Sequence, residues 1–248
     1  MQQRDLDWEG LHNVRDLGGH PTEAGGETKF GAYIRADNVD RLTDAGWRAL
    51  VEYGVRTVVD LRFADEREVD PPVDLPIVSI HTPLVPNLSH PDWSEIHALS
   101  MAVEMPESTR VVYLEFLERY RDRFGHVVGA IASADDEGAL VFYCMAGKDR
   151  TGLIAALLLS VAGVERAAIA EDYALSGENL RPLLDMWIET AGDDDERALR
   201  TRIGAAPAEA MLGVLDTLEV QYGGTEEYLR AAGVTDDQLG RVRARLVG

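Results

Sequence analysis

The central stretch of the chain reads Ala139-Leu140-Val141-Phe142-Tyr143, then Cys144-Met145-Ala146-Gly147-Lys148-Asp149-Arg150-Thr151-Gly152, then Leu153-Ile154-Ala155-Ala156-Leu157-Leu158-Leu159. The first apolar run predicts a buried strand, and the last, rich in strong helix formers, predicts a helix. The polar residues between them therefore form a strand-to-helix turn. In such a turn, backbone N–H groups face one concavity and the helix N-terminus adds partial positive charge. The stretch thus predicts a pocket that suits a dianionic phosphate and a thiolate.

The spacing of the cysteine and the arginine in this turn is C-x5-R, formed by Cys144 and Arg150. Five intervening residues, 145–149, are enough to wrap backbone amides around one phosphoryl group and to return the guanidinium to it. The planar guanidinium donates two parallel hydrogen bonds and does not deprotonate. The same positive surroundings favour the thiolate form of the cysteine.

The remaining residues of the turn have supporting roles in this interpretation. Thr151 is placed to hydrogen-bond the sulfur, or to protonate it when it departs as a thiolate. Gly147 and Gly152 allow a close approach that a β-carbon would obstruct. A nucleotide-binding P-loop is excluded, because Asp149 follows Gly147-Lys148 and Phe142 stands where the first glycine of G-x-x-x-x-G-K-[ST] is required.

Composition limits the classes of protein to consider. The chain has 248 residues, a net charge of −20 and one cysteine. We expect one domain over residues 1–248, no intrachain disulfide and a cytoplasmic location. The N-terminus shows no signal-peptide pattern, although secretion without one stays open. The acidity argues against nucleic acid as a partner, and no apolar run is long enough for stable membrane insertion. No metal or cofactor is expected, because the histidines lack ligand spacing.

Further strands are predicted at 33–36, 55–62 and 77–80, with helices between them, one of them over 111–123, and throughout the C-terminal half. Thr43, the acidic run that starts at Asp193, and Thr235 are predicted to cap the helices that follow them. This order predicts an α/β fold with a central, mostly parallel sheet flanked by helices. Asp60 and Arg62 end the clearest strand, and ligands bind at the carboxyl ends of strands in open α/β sheets. Asp60 is therefore a candidate for catalysis and Arg62 for substrate binding; a helix cap or an ion pair is the alternative for Asp60.

The segment 83–110 differs from its surroundings in carrying four prolines and a short amphipathic helix over 94–103. A helical insertion after a strand is typical of an active-site lid. An ordinary surface helix is the alternative interpretation.

The loop from Cys144 to Gly152 resembles the signature loop of the cysteine-dependent protein tyrosine phosphatases, and in particular the bacterial tyrosine, dual-specificity and lipid phosphatase branch with C-x-A-G-K-D-R-T-G. The resemblance extends over most of the chain through weaker motifs in the same order, which are Asn13 to Gly19, Arg35-Ala36-Asp37, Arg41-Leu42-Thr43, Val58 to Arg62, Glu171-Asp172-Tyr173 and Tyr222-Gly223-Gly224. It implies a tyrosine phosphatase-like fold and hydrolysis of a phosphorylated protein or lipid head group, with phosphate as the product.

The resemblance also implies a two-step mechanism. The Cys144 thiolate attacks phosphorus while Arg150 and the amides of the loop hold the phosphoryl oxygens. An acid protonates the leaving oxygen, and water then hydrolyses the phosphocysteine. Either Asp149 or Asp60 is the acid, with Asp149 favoured; Asp60 is alternatively a partner of Lys148. A lysine at position 148 resembles that of phosphoinositide phosphatases, where it can hold a second phosphate.

One departure from the family pattern is Tyr143, which stands where a histidine usually precedes the nucleophile. Tyrosine can donate a hydrogen bond but carries no charge near neutral pH. Two other functions are alternatives to the enzyme. One is a catalytically impaired, phosphate-binding regulatory protein, or pseudophosphatase. The other is a redox or sulfur-transfer protein, which the lack of a second cysteine disfavours.

Overall fold

The computed structural model describes residues 3–67, 75–87, 89–135 and 137–248. These residues form one five-stranded sheet, in the order β1-β2-β5-β3-β4. The strands are β1 (Arg15–Asp16), β2 (Tyr33–Ala36), β3 (Val55–Asp60), β4 (Val78–His81) and β5 (Ala139–Tyr143). Strands β2, β5, β3 and β4 run parallel, and β1 pairs antiparallel with β2. The predicted α/β fold with a mostly parallel sheet is therefore confirmed.

Helices surround the sheet, and the described chain after β5 contains helices joined by loops and no further strand. They are α1 (Asp44–Glu52), α2 (Asp92–Met101), α3 (Glu107–Arg119), α4 (Arg121–Ser133), α5 (Asp149–Val161), α6 (Arg166–Asn179), α7 (Arg181–Glu189), α8 (Asp194–Gly204), α9 (Ala208–Tyr222), α10 (Thr225–Ala231) and α11 (Asp236–Val247). Short 3-10 helices cover Val39–Arg41 and Ala64–Glu66. No helix within the described residues is both long and apolar enough to cross a membrane.

Strand β5 lies at the centre of the sheet and is buried along its whole length. Its alternate side chains separate into two cores: Leu140 and Phe142 pack with the larger helical layer, whereas Val141 and Tyr143 pack with the smaller layer around α1. A parallel strand covered on both faces requires an unbroken apolar run, which explains the sequence 139–143. The register pairs Asp60 with Tyr143, so β3 and β5 end together. The segment after β5 therefore begins beside the segment after β3.

Most helices agree with the sequence patterns, although some begin or end a few residues from the predicted positions and one predicted helix is broken. Thr43, Asp193 and Thr235 cap their helices through their own side chains, as their positions predicted for α1, α8 and α11. The prediction of a single helix over 111–123 is wrong, because α3 ends before Tyr120 and α4 begins after it. Tyr120 has φ −115° and ψ 24°, and its hydroxyl donates to Asp92 at the start of α2.

The amphipathic helix expected within segment 83–110 is α2, which starts two residues earlier than predicted. Ile96 is buried, and Trp93 packs edge-on against Phe116 of α3 with ring centroids 5.4 Å apart. Leu88, which belongs to the predicted lid, lies outside the described residues. Opening and closing of this segment stays a prediction.

We expect Gly125→Ala to destabilise the fold, because an alanine Cβ at this position of α4 would lie 1.9 Å from the backbone carbonyl oxygen of Ala232. Overpacking of this kind costs about 1–3 kcal/mol. The matched control is Gly129→Ala, one turn along α4, where the Cβ would meet only the flexible end of Gln238 at 3.1 Å. In urea unfolding, the free energy of unfolding of Gly125→Ala should be well below that of the control. Equal free energies of unfolding would contradict this packing.

Candidate active site

The cysteine of the loop lies where the sequence placed it, between β5 and α5. Cys144 directly follows the last residue of β5, is 2% exposed, and is separated from the first residue of α5 by four residues, 145–148. The start of α5 therefore aims its unpaired N–H groups and its positive end at the loop. Such surroundings stabilise a thiolate and a bound anion.

Three successive carbonyls of the loop are bound from the side of β1 and β2. The backbone N–H of Asn38 donates to the carbonyl of Met145 at 3.2 Å, and the Asn13 amide donates to that of Ala146 at 2.9 Å. Arg35 donates from Nη2 to the carbonyl of Gly147 at 2.7 Å. With these carbonyls fixed, the N–H groups of residues 145–148 donate to no acceptor in the part of the chain that the structure describes. A row of free amides is what an oxyanion requires.

Both glycines of the loop are required by close contacts. Gly147 has φ +64°, and a Cβ there would lie 2.5 Å from the carbonyl oxygen of Ala36. A Cβ at Gly152 would lie 3.1 Å from the Tyr173 ring and 3.4 Å from Arg35 Nη2. Thr151 is buried, and its hydroxyl has no hydrogen-bond partner among the described residues. The hydroxyl is thus available to form a hydrogen bond, although the predicted bond to the sulfur is not made.

The guanidinium of Arg150 forms a bidentate pair with Glu66, which the sequence analysis did not identify. Arg150 Nη1 and Nη2 lie 2.5 and 2.7 Å from the two carboxylate oxygens, and the guanidinium lies over the Phe63 ring at 5.4 Å. Burial lowers the pKa of Arg150, but Glu66 and the charge of Cys144 outweigh it and raise the pKa above its usual value. Glu66 thereby orients the guanidinium and leaves its other N–H groups for an oxyanion. Nothing in the sequence distinguishes Glu66 from its acidic neighbours.

Asp60 and Arg62 form a buried cluster with Tyr143 next to Cys144. Arg62 donates from Nε and Nη2 to the Asp60 carboxylate at 3.0 and 2.9 Å, and its guanidinium lies 5.1 Å from the centre of the Tyr143 ring. Burial, followed by the charge of Asp60, raises the pKa of Tyr143, which stays neutral. Arg62 also donates to Asp40 at 2.6 Å. These contacts correspond to the ion-pair alternative for Asp60, and neither residue reaches the cavity described below.

Asp149 and Lys148 point in a different direction from this cluster. The Asp149 side chain is 43% exposed and accepts a hydrogen bond from Tyr113 of α3 at 2.7 Å. The Lys148 ammonium donates to the carbonyls of Ile203 and Ala205 at the end of α8, and lies 3.5 Å from Asp149 Oδ1. Lys148 therefore pairs with Asp149 and not with Asp60, and it links the loop to α8.

A largely apolar cavity of about 510 Å³ opens beside the loop at Lys148, Asp149 and Arg150. Its walls are α2 and α3 on one side and α7 and α8 on the other. The apolar lining includes Trp93, Ile96, Val112, Phe116, Trp187 and Leu199. The presence of α2 in the wall of the cavity agrees with the position predicted for a lid. The contribution of α7 and α8 was not predicted, because a helical pattern does not show which distant segment the helix packs against.

A second network lies beneath the loop and is centred on Asp172 of α6. Its carboxylate accepts from Arg15 Nε at 2.9 Å, from Arg35 Nη1 at 2.6 Å and from Arg4 Nη2 at 2.5 Å. Burial raises the pKa of Asp172, but Arg15 and Arg35 outweigh it and hold the pKa well below the usual range. Burial also lowers the pKa of Arg35 to about 10, so Arg35 remains charged near neutral pH.

The network leaves an excess of positive charge under Cys144. Three guanidiniums share one carboxylate. The charge of Cys144 partly offsets the lowering of the Arg35 pKa by burial. An acidic protein thus keeps a locally cationic site for an anion. Arg35 and Asp172 lie in two of the weaker sequence motifs, and nothing in the sequence indicated that they meet beneath the loop.

The model of the tyrosine phosphatase family matches residues 6–248. The chain is 34% identical to a tyrosine-protein phosphatase of Nostoc commune over 228 residues, which cover 87% of this chain and 74% of that protein. It is 26% identical to the triple specificity protein phosphatase PtpB of Mycobacterium tuberculosis, covering 96% and 98% of the two chains. A putative tyrosine-protein phosphatase of Cupriavidus necator is 27% identical, covering 93% and 84%.

We expect Asp172→Asn to reduce the free energy of unfolding by about 3–5 kcal/mol, because it leaves Arg15 and Arg35 buried without a counter-charge. The control is Asp216→Asn, since Asp216 is 69% exposed and pairs with the exposed Arg166. Removal of an exposed pair costs about 0–1 kcal/mol. The free energies of unfolding of both variants are to be measured by urea unfolding at neutral pH. A loss at Asp172 no larger than that of the control would contradict the role assigned to this network.

Proposed function

The chain belongs to the tyrosine phosphatase family, and from this premise we propose that it hydrolyses phosphotyrosine through a phosphocysteine at Cys144. As a member, it is a cysteine-dependent phosphatase. The observation that carries the proposal is the loop itself, in which a buried thiol, the free amides of residues 145–148 and the Arg150 guanidinium belong to one strand-to-helix turn.

The proposed reaction has two displacements. The Cys144 sulfur bonds to phosphorus as the bond from phosphorus to the tyrosine oxygen breaks, and an acid protonates that oxygen. Water then attacks phosphorus, the sulfur departs, and phosphate is released. Arg150 and the loop amides hold the phosphoryl oxygens in both steps, when charge spreads over them. Tyr143, Asp60 and Arg62 support the loop from behind and do not contact the substrate in this proposal.

Asp149 is the acid that the geometry supports. Its carboxylate is partly exposed and lines the cavity that would receive the leaving group, whereas Asp60 is buried and bound by Arg62. An acid has to reach the leaving oxygen directly or through one water. The apolar walls of the cavity suit the ring of a phosphotyrosine better than a polyhydroxylated head group.

Activity on phosphoserine, phosphothreonine and phosphoinositides is a second part of the proposal. The relative from Mycobacterium tuberculosis carries the name triple specificity phosphatase, and Lys148 offers a point charge next to the loop. In the structure its ammonium is already bound to Ile203 and Ala205. A second phosphate on the substrate would have to draw Lys148 away from these carbonyls.

We expect wild-type protein to release phosphate from phosphotyrosine peptides and from a generic aryl phosphate, and Cys144→Ser to lose this activity by several orders of magnitude. The panel should also contain phosphoserine and phosphothreonine peptides and phosphoinositides, so that substrates are ranked by kcat/KM. Absence of release from every substrate, with vanadate still bound, would contradict the proposal and favour the pseudophosphatase.

For Lys148→Met we expect a selective loss on substrates with two phosphates. A charge-assisted hydrogen bond contributes about 1.5–3 kcal/mol, which corresponds to about 10- to 100-fold in kcat/KM. Phosphoinositides with one and with two phosphomonoesters form a matched pair for this measurement. An equal loss on both would rule out a second-phosphate role for Lys148.

A further inference from the structure

The buried hydroxyl of Tyr113 is not used by the mechanism described so far. Tyr113 belongs to α3, is 1% exposed, and its hydroxyl lies 2.7 Å from Asp149 Oδ1. The hydroxyl of Tyr173 on α6, also 1% exposed, lies 2.8 Å from that of Tyr113. The two rings pack edge-to-face with centroids 5.8 Å apart. A buried pair of tyrosines thus ends on the partly exposed carboxylate of the loop.

The direction of the hydrogen bonds in this chain follows from the number of protons. Burial, followed by the charge of Asp149, raises the pKa of Tyr113 well above its usual value, so Tyr113 has its proton. A phenol has one proton to donate, and that proton serves Asp149. The Tyr173 hydroxyl therefore donates to Tyr113. The chain runs from Tyr173 through Tyr113 to Asp149 Oδ1, and each donor is held in a packed ring.

The two oxygens of Asp149 are placed in different surroundings by these contacts. Oδ1 accepts from Tyr113 and lies 3.5 Å from the Lys148 ammonium. Oδ2 has no hydrogen-bond or ion-pair partner among the described residues, and the side chain is 43% exposed at the cavity. Oδ1 is thus occupied as an acceptor, whereas Oδ2 is free to carry a proton toward a ligand.

We propose that Tyr113 is a positioning residue for Asp149: it fixes Oδ1 so that the proton for the leaving group is delivered from Oδ2. The inference rests on the proposed function. In the first step, the Oδ2 proton moves to the leaving oxygen as the bond from phosphorus to oxygen breaks and the bond from sulfur to phosphorus forms. In the second step, Asp149 takes a proton from the attacking water as the sulfur departs. Tyr113 keeps its own proton throughout.

A general acid contributes most when the leaving group is a poor one, and this dependence separates a positioning role from a merely structural one. General acid–base catalysis contributes about 10²–10⁴-fold. A dinitrophenolate leaves without protonation, whereas the phenolate of tyrosine does not leave readily. A defect in the acid therefore grows along a series of aryl phosphates from dinitrophenyl to phenyl to phosphotyrosine. A defect in folding or in phosphate binding reduces kcat/KM by one factor along the whole series.

The test measures kcat/KM along this series for wild type, Tyr113→Phe and Tyr173→Phe. We expect Tyr113→Phe, which keeps the ring, to lose about 10- to 100-fold on phosphotyrosine and less than about 3-fold on dinitrophenyl phosphate. Tyr173→Phe is the matched control, because it removes a neighbouring buried hydroxyl that does not contact Asp149, and its loss on phosphotyrosine should be smaller. The same factor on every substrate for Tyr113→Phe would overturn the proposal.

A double-mutant cycle with Asp149→Asn completes the test. Without the acid, Tyr113→Phe should add no further loss on phosphotyrosine; an undiminished loss in the Asp149→Asn background would show that Tyr113 acts elsewhere. If Tyr113→Phe does not fold, Asp149→Asn alone still decides, because a flat dependence on the leaving group would leave Tyr113 no acid to position. Failure of wild type on the whole series would instead count against the proposed function.

Discussion

The rest of the site depends on the ion pairs that three arginines form with the carboxylate of Asp172. This carboxylate is buried on α6 and neutralises one of the three arginines, which reach it from the N-terminal segment and from β1 and β2. Through Arg35 it is joined to the Gly147 carbonyl, and so to the backbone of the loop. Burial of an unpaired guanidinium costs several kcal/mol, so this arrangement fixes α6, the first two strands and the loop relative to one another.

The same arrangement reconciles a strongly acidic chain with an anion site. The net charge of −20 is spread over the surface, whereas the positive charge lies below and beside Cys144, in Arg35 and Arg150. Because the Arg35 network is buried, its field is screened little by solvent. Each of the two arginines beside Cys144 is held by a carboxylate: Arg150 by Glu66, and Arg35 by Asp172, which also pairs with Arg4 and Arg15. The site is therefore preorganised before a ligand arrives, and its carbonyls already face away from the oxyanion position.

Much of the fold and the loop followed from the sequence, because local patterns specify them. The run 139–143, the C-x5-R spacing and the helix caps at Thr43, Asp193 and Thr235 each determine structure over a few residues. Contacts between distant segments could not be predicted in this way. The pairing of Arg150 with Glu66 depends on how the segment after β3 folds back, and the bond between Tyr113 and Asp149 depends on how α3 crosses α5. The break at Tyr120 was missed because the apolar periodicity continues through it.

The central claim is that Cys144 carries the phosphoryl group during turnover. Rapid acid quench of the enzyme with a phosphotyrosine substrate, followed by mass spectrometry of its peptides, tests this claim most directly. We expect one phosphoryl group on the peptide that contains Cys144, formed and lost at rates compatible with turnover. A phosphoryl group on any other residue would contradict it, as would turnover with no phosphorylated enzyme at any quench time together with single-step inversion at phosphorus.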